Sequence, residues 1–327
     1  MSRVRSIPMP PNLTRDAWFL NGPTASGKSA VGIGLAQRIG AEIVSLDSIA
    51  LYRGMDIGTA KPTPQEQREV PHHLIDVLDP HEEFSLAQYI EAAEQVAAEI
   101  AGRGRQVLFV GGTPLYLKGL LRGVFQGPPA DWELRHRLAE DAARDGGVRL
   151  HERLAAIDPA AAARLHPNDT RRLIRAIEVF EKLGRPISEL QRQFEIERPA
   201  EECRVFVLDW PRIELCDRID RRVEQMFSAG LVEEVRRLLA GPQPLGRTAR
   251  QAGGYREVIE HLEGRRDLAE TVELVRLHTR QLAKRQCTWF RSLSECRRIA
   301  ISGQFNVAET AERIASAIVV GGDSCRR

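Results

Sequence analysis

Gly22-Pro23-Thr24-Ala25-Ser26-Gly27-Lys28-Ser29 fits the pattern G-x-x-x-x-G-K-[ST], and its neighbours supply the matching context. A short apolar run, Ala17-Trp18-Phe19-Leu20, precedes it, and a helix-like pattern, Ala30-Val31-Gly32-Ile33-Gly34-Leu35-Ala36, follows. A glycine-rich turn from strand into helix aims backbone N–H groups and the positive helix end at a polyphosphate. Lys28 would reach the phosphates and the Ser29 hydroxyl would take Mg²⁺. The competing explanation is a chance match in a glycine-rich turn, and the strand–turn–helix setting weighs against it.

From residue 17 to about 125 short apolar strands alternate with helical patterns. Residues 41–47 read as a second strand, 73–77 as a weak one and 106–110 as another, ending in Gly111-Gly112. Ser85 caps a helix running to about Ala101, and a further helix lies near 115–121. Alternation of this kind predicts a parallel sheet covered by helices, with ligands at the carboxyl ends of the strands. Between about 128 and 200 the strand signal disappears. Helices there open at Asp131, at Asp158-Pro159 and at Asn168-Asp169-Thr170, and they stop at Gly146-Gly147 and Gly184. A strand returns at 204–208, helices run to about 291, and 298–302 reads as a last strand. The expected fold is α/β: a P-loop-type parallel sheet core flanked by helices (16–127 and 201–320) with an all-helical insertion (128–200). Residues 1–15 read as a disordered arm and 321–327 as a flexible tail.

Composition narrows the classes. The 327 residues are 43% hydrophobic and 28% charged, with a net charge of +2, so a nucleic-acid surface must come from local clustering of charge. Lysine occurs only at Lys28, Lys61, Lys118, Lys182 and Lys284, leaving arginine to carry most of the positive charge. The cysteines (Cys203, Cys216, Cys287, Cys296, Cys325) never fall in C-x-x-C spacing, which indicates neither a zinc site nor a disulfide framework. No stretch has signal-peptide or membrane-spanning character, so a cytoplasmic protein without a membrane partner is expected.

Chemistry concentrates after the second strand, in Ser45-Leu46-Asp47-Ser48 and Gly54-Met55-Asp56-Ile57-Gly58-Thr59-Ala60-Lys61-Pro62. An acid at a strand's carboxyl end beside a phosphate loop can support Mg²⁺ or accept a proton; it can also simply cap the next turn. The strand at 106–110 ends in Gly-Gly-Thr, without the second acid usual in an ATPase. In 215–227, Leu215, Ile219, Val223, Met226 and Phe227 form an apolar stripe of helical period. Arg218 and Arg222 are four apart on one flank of it, whereas Arg221 reads as solvated. Arg276, Arg280 and Lys284 are spaced by four, with Arg291 seven further on, a basic stripe able to follow a phosphate backbone. Trp289 can stack on a base or belong to the core.

Taken together, the phosphate loop, Asp47-Ser48 with Tyr52, Gly54 to Pro62, Pro71-His72-His73, Val110-Gly111-Gly112-Thr113 with Leu115-Tyr116, His166-Pro167-Asn168-Asp169 and Arg280-Gln281-Leu282-Ala283-Lys284-Arg285-Gln286 resemble the tRNA dimethylallyltransferases. The matches run in order from about residue 17 to 291. The resemblance implies transfer of a dimethylallyl group from dimethylallyl diphosphate to the exocyclic amine of the adenosine just 3′ of the anticodon (position 37), with release of pyrophosphate. It implies a Mg²⁺ cofactor, with Asp47, Thr24 and Arg222 as catalytic residues and Gly22 to Ser29 as the phosphate site. Against the tRNA anticodon stem-loop it places Asp47, Ser48, Ile49, Ala50, Thr113, Arg135, Arg171, Arg172, Arg175, Gln251, Gly254, Tyr255, Arg256, Lys284, Arg285, Gln286, Trp289 and Arg291. Without the resemblance, the arginines of the insertion read equally well as solvated charges. Ser29 stands where relatives commonly carry threonine, and a glycine in Gln251-Ala252-Gly253-Gly254-Tyr255 replaces a larger apolar residue. No zinc-finger extension of the eukaryotic kind is present, which favours the bacterial type, and a monomer is expected.

The chemistry agrees with that reading. An exocyclic adenine amine is a poor nucleophile because its lone pair is delocalised, so it needs a positioned base such as Asp47. A departing pyrophosphate needs fixed donors. Thus a loop familiar from ATP users can serve a diphosphate that is only displaced. The rivals are a P-loop small-molecule kinase, an isopentenyltransferase acting on free adenine nucleotides, and a non-catalytic RNA-binding module. The helical insertion and basic stripe argue against the second, and intact Gly27-Lys28-Ser29 with Asp47 against the third.

Overall fold

The computed structural model describes residues 17–125, 127–191, 197–301 and 305–317. The arm at 1–15 and the tail at 321–327 lie outside the described residues. The chain divides into two compact units, one holding 17–121 and 197–317, the other 122–191.

The larger unit is built on six parallel strands in the order β3-β2-β4-β1-β5-β6. They are β1 (Trp18–Asn21), β2 (Ala41–Leu46), β3 (His72–His73), β4 (Gln106–Gly111), β5 (Val205–Asp209) and β6 (Cys296–Ala300). β1, β2 and β4 are buried almost throughout, as a parallel sheet covered on both faces requires. The helices of this unit begin with α1 (Lys28–Ile39), α2 (Pro64–Glu69), α3 (Leu86–Gly102) and α4 (Pro114–Arg122).

The second unit is all helix: α5 (Trp132–Asp145), α6 (Val148–Ile157), α7 (Pro159–Ala162), α8 (Thr170–Leu183) and α9 (Ile187–Leu190). It has its own core of Leu134, Leu138, Leu150, Leu154, Leu173 and Ile177. The larger unit resumes with α10 (Arg212–Ser228), α11 (Leu231–Leu239), α12 (Arg247–Arg250), α13 (Tyr255–Leu262), α14 (Leu268–Arg291) and α15 (Val307–Ser316).

Register decides where chemistry can occur. Asn21 pairs with Gly111, and Gly111 pairs in turn with Leu46. The residues that follow these three, the phosphate loop, Asp47 and Gly112-Thr113, are therefore brought to one edge of the sheet. Gly111 has to be glycine, because a Cβ there would lie 2.0 Å from the Leu46 carbonyl oxygen.

Three local expectations change. The strand expected at 73–77 is only His72–His73, because Leu74 (φ 58°) and Asp76 (φ 55°) adopt left-handed backbone that no strand can continue. The last strand begins two residues earlier than expected, at Cys296, paired along β5. Outside the insertion, two helices add to the expected set. α2 is set by a Thr63–Glu66 capping box with Pro64 in its first turn, and α15 is capped by Asn306 and packs on α1.

Candidate active site

A cavity of about 620 Å³ opens at the carboxyl edge of the sheet, lined in part by Thr24, Lys28, Ser29, Asp47, Thr113 and Arg222. Its floor is the turn between β1 and α1. Gly27 (φ 83°) and Ala25 (φ 62°) hold left-handed backbone there, and α1 starts without a side-chain cap, leaving first-turn N–H groups for a ligand. The turn is held from behind. Trp210 Nε1 donates to the Ser26 carbonyl (3.0 Å), and Arg218 Nε donates to the Ala25 carbonyl (2.8 Å) while stacked over Trp210.

Not every amide of the loop is free to bind phosphate. Thr24 N donates to Gln286 Oε1 (2.9 Å), and Ser26 N donates to the Pro23 carbonyl (3.2 Å). Gly22, Pro23, Ala25 and Ser26 are buried, and a Cβ on Gly22 would meet Ser26 Oγ at 2.6 Å. Of the expected loop 22–29, Thr24, Lys28 and Ser29 line the cavity, and the amides of Thr24 and Ser26 are engaged within the protein.

Two cations and one carboxylate share this end of the cavity. Lys28 Nζ donates to the Pro23 carbonyl (3.3 Å). Burial, reinforced by repulsion from Arg222 and opposed by attraction to Asp47, pulls its pKa down from 10.5 to about 8. Arg222 donates through Nη2 to the Thr59 carbonyl (3.2 Å), but its Nε is buried with no partner among the described residues. Asp47 Oδ1 accepts from the amides of Ile49 (2.9 Å) and Ala50 (3.3 Å), so it does cap the following turn. Its Oδ2 takes no hydrogen bond from the described residues. The oxygen that caps the turn is therefore distinct from the one left without a hydrogen bond from the described residues. Thr113 braces the same corner: its amide donates to the Leu46 carbonyl (3.2 Å), and its Oγ1 accepts from Ser48 N (3.2 Å).

Ser29 is exposed within the cavity, and the described residues hold no cluster of three or more His, Cys, Asp or Glu able to enclose a metal. One hydroxyl beside an anion site suits Mg²⁺, which keeps waters and substrate oxygens as most of its ligands.

The remaining expected residues separate. Ser48, Ile49, Ala50, Gln251, Gly254, Arg256 and Arg285 line the cavity with those above. Tyr255 and Gln286 also line it, but Tyr255 is fully buried with its hydroxyl on Glu234 (2.7 Å), so most of its ring belongs to the core. Gln286 is likewise taken up inside, its Nε2 donating to the Gly112 carbonyl (2.6 Å) while Oε1 holds Thr24; it ties β4 to the phosphate loop. Lys284, Trp289 and Arg291 are exposed on α14.

The expected basic stripe is largely neutralised. Arg276 pairs with Glu224 and Glu273, Arg280 with Asp220, and Arg291 with Asp209. In the helical unit, Arg135 makes a bidentate pair with the buried Glu178 (2.8 Å to each oxygen), which Arg175 also contacts. Arg172 pairs with Asp169, and Arg171 is exposed.

Glu234 and Glu257 are buried carboxylates outside the residues expected from sequence. Glu234 gathers the amides of Asp56, Ile57 and Gly58 together with the Tyr255 hydroxyl. Glu257 caps α13 through Gly254 N (2.8 Å) and pairs with Arg256 and His278. The sequence does hold a signal for Glu234. It occupies the helical stripe of Leu231, Val235 and Leu238, where a charge has no reason to sit unless it is satisfied.

A parallel sheet whose first strand turns through a glycine-rich loop into a helix, with that cavity at its carboxyl edge, defines a P-loop-type α/β protein. Residues 50–293 match the IPP transferase family model and residues 15–81 the isopentenyl transferase model. A tRNA dimethylallyltransferase of Rhodopirellula baltica is 49% identical over 303 residues, 90% of each chain. The chain belongs to the tRNA dimethylallyltransferase family. Among solved structures it is similar to the full-length tRNA isopentenylpyrophosphate transferase of Bacillus halodurans (TM-score 0.68, 36% identity, 94% of this chain and 96% of that one). A eukaryotic dimethylallyltransferase acting on tRNA aligns with a TM-score of 0.77 at 26% identity, over 93% of this chain and 78% of that one.

Proposed function

We propose that this chain transfers a dimethylallyl group from dimethylallyl diphosphate to the exocyclic amine of the adenosine 3′ of the anticodon in tRNA. The observation that carries the reading is the meeting, at one sheet edge, of an anion site with one excess positive charge and a carboxylate with one uncommitted oxygen. In the reaction the bond from the allylic carbon to the diphosphate oxygen breaks and a carbon–nitrogen bond forms. The amine proton passes to Asp47 Oδ2, and the electron pair leaves with pyrophosphate. Lys28, Arg222 and the amides at the start of α1 meet the charge that develops on the leaving group. Mg²⁺ bound at the Ser29 hydroxyl would neutralise part of that charge. The target adenine must leave its stack to reach Asp47. Ser48, Thr113 and Arg285, which line the cavity, would meet the extruded nucleotide, and exposed Lys284 and Trp289 would meet the backbone and bases outside it.

Incubation with dimethylallyl diphosphate, Mg²⁺ and unmodified tRNA, followed by nucleoside mass analysis, should show an adenosine heavier by one dimethylallyl group. Supplying ATP in place of the diphosphate should yield no product. Phosphoryl transfer from ATP with unaltered tRNA would overturn the assignment in favour of a kinase.

A further inference from the structure

The wall of the cavity behind Arg222 is a loop held by a single buried carboxylate. Glu234, 3% exposed, accepts through Oε2 from Asp56 N (3.0 Å) and Ile57 N (2.8 Å), and through Oε1 from Gly58 N (3.3 Å) and the Tyr255 hydroxyl (2.7 Å). Four donors on two oxygens leave no room for a protonated or amide form without a donor facing a donor. The approach is close: a Cβ on Gly58 would lie 2.4 Å from the Tyr255 ring, so only glycine brings its amide to this carboxylate.

The same loop closes on itself and is pinned at its far end. Thr59 Oγ1 donates to the Met55 carbonyl (2.6 Å), and Ala60 N donates to the Ile57 carbonyl (3.1 Å). The nearly buried Lys61 ammonium reaches the Tyr52 carbonyl (2.5 Å) and the carboxylates of Asp56 (2.8 Å) and Asp76 (2.5 Å). The output of this arrangement is the Thr59 carbonyl. It is the acceptor for Arg222 Nη2 (3.2 Å), and Arg222 has no other protein hydrogen bond among the described residues.

We infer that Glu234 is a positioning residue for the diphosphate end of the cavity: it fixes the 56–59 backbone, which aims the Arg222 guanidinium. This rests on the proposed role of Arg222 as a diphosphate partner. A guanidinium held at one nitrogen by a fixed carbonyl turns its remaining donors in a set direction. Releasing the carbonyl returns rotamer freedom to a side chain whose contribution depends on orientation.

The test measures the affinity of inorganic pyrophosphate in the presence of Mg²⁺ by calorimetry for the parent, Glu234→Gln, Arg222→Met and the double variant. Glu234→Gln should weaken pyrophosphate binding by about fivefold, while tRNA affinity stays within about twofold. Arg222→Met should weaken it by about tenfold or more. The double variant should bind no worse than Arg222→Met alone, because Glu234 acts only through that arginine. Parental pyrophosphate affinity in Glu234→Gln, or losses that multiply in the double variant, would overturn the inference. An unchanged Arg222→Met would instead remove the diphosphate role on which the inference stands. Should Glu234→Gln fail to fold, Tyr255→Phe removes one of the four donors, and it should give a smaller loss in the same direction that also vanishes with Arg222→Met. A purely structural role for Glu234 would lower the melting temperature of either variant and leave the pyrophosphate affinity of the folded protein unchanged.

Discussion

Arg222 and Arg280 lie on two helices that pack together, α10 and α14, and they hold their charge in opposite ways. Arg280 is partly exposed, and its Nε sits 2.9 Å from an Asp220 oxygen. Among the described residues Arg222 has a buried Nε without a partner and one carbonyl ligand, and beside it lies a lysine whose ammonium its own charge disfavours. An arginine paired with a carboxylate is already neutralised and adds little to an anion's attraction. A buried arginine that hydrogen-bonds no carboxylate is costly, and a fold retains it where an anion is to be bound. Arg135 and Arg175, both on Glu178, belong with Arg280. Counting basic residues along the chain therefore misjudges where the effective positive charge lies.

The largest effect that could break this contrast comes from the carboxylate between the two cations. Asp47→Asn keeps the size and the capping oxygen but removes the basic one. Single-turnover transfer should fall by about 10² to 10⁴, with tRNA affinity nearly unchanged. Transfer within a few-fold of the parent would take the base role away from Asp47. A parallel fall of affinity and transfer would mean that it holds the adenine instead.

Next in size is Lys28→Ala, which removes one of the two cations at the phosphate end. Turnover should drop more than tenfold, about 1.4 kcal/mol or more of leaving-group stabilisation. Steady-state kinetics at saturating tRNA would show it, and full activity would remove the loop from the mechanism.

The smallest effect sharpens the comparison most. Arg280→Ala should leave the salt dependence of tRNA binding almost unchanged, since Arg280 is paired with Asp220. Lys284→Ala should flatten it by about 0.7 to 0.9 of a unit, one phosphate contact. Equal slopes for the two variants would mean that the ion pair opens when RNA binds.

Much of this site is legible in the amino-acid sequence. The glycine loop, the strand before it and the acid at the end of the second strand each carry a local signature, and parallel alternation dictates that they meet at the carboxyl edge. What the sequence hides is partnership across long separations. Glu234 reads as one acid in an amphipathic helix, because the amides that bury it are 176 to 178 residues away. Gln286 reads as part of a basic recognition helix, yet its amide reaches back 262 residues to the phosphate loop. The stripe does fall on one helix, α14, while two of the acids that neutralise it, Glu224 and Asp220, come from α10, which no spacing within α14 reveals.

The depressed lysine in the phosphate loop couples the site to solvent protons. In the unfolded chain Lys28 keeps its ammonium up to about pH 10.5, but in the folded protein only up to about pH 8. Holding that charge therefore works against folding at neutral pH, and the penalty is lifted as pH rises through the interval between the two values. A bound diphosphate reverses the balance by giving the ammonium a counter-ion. Above about pH 8 the arrival of the anion draws a proton from the buffer, and at neutral pH the same anion makes the fold harder to melt.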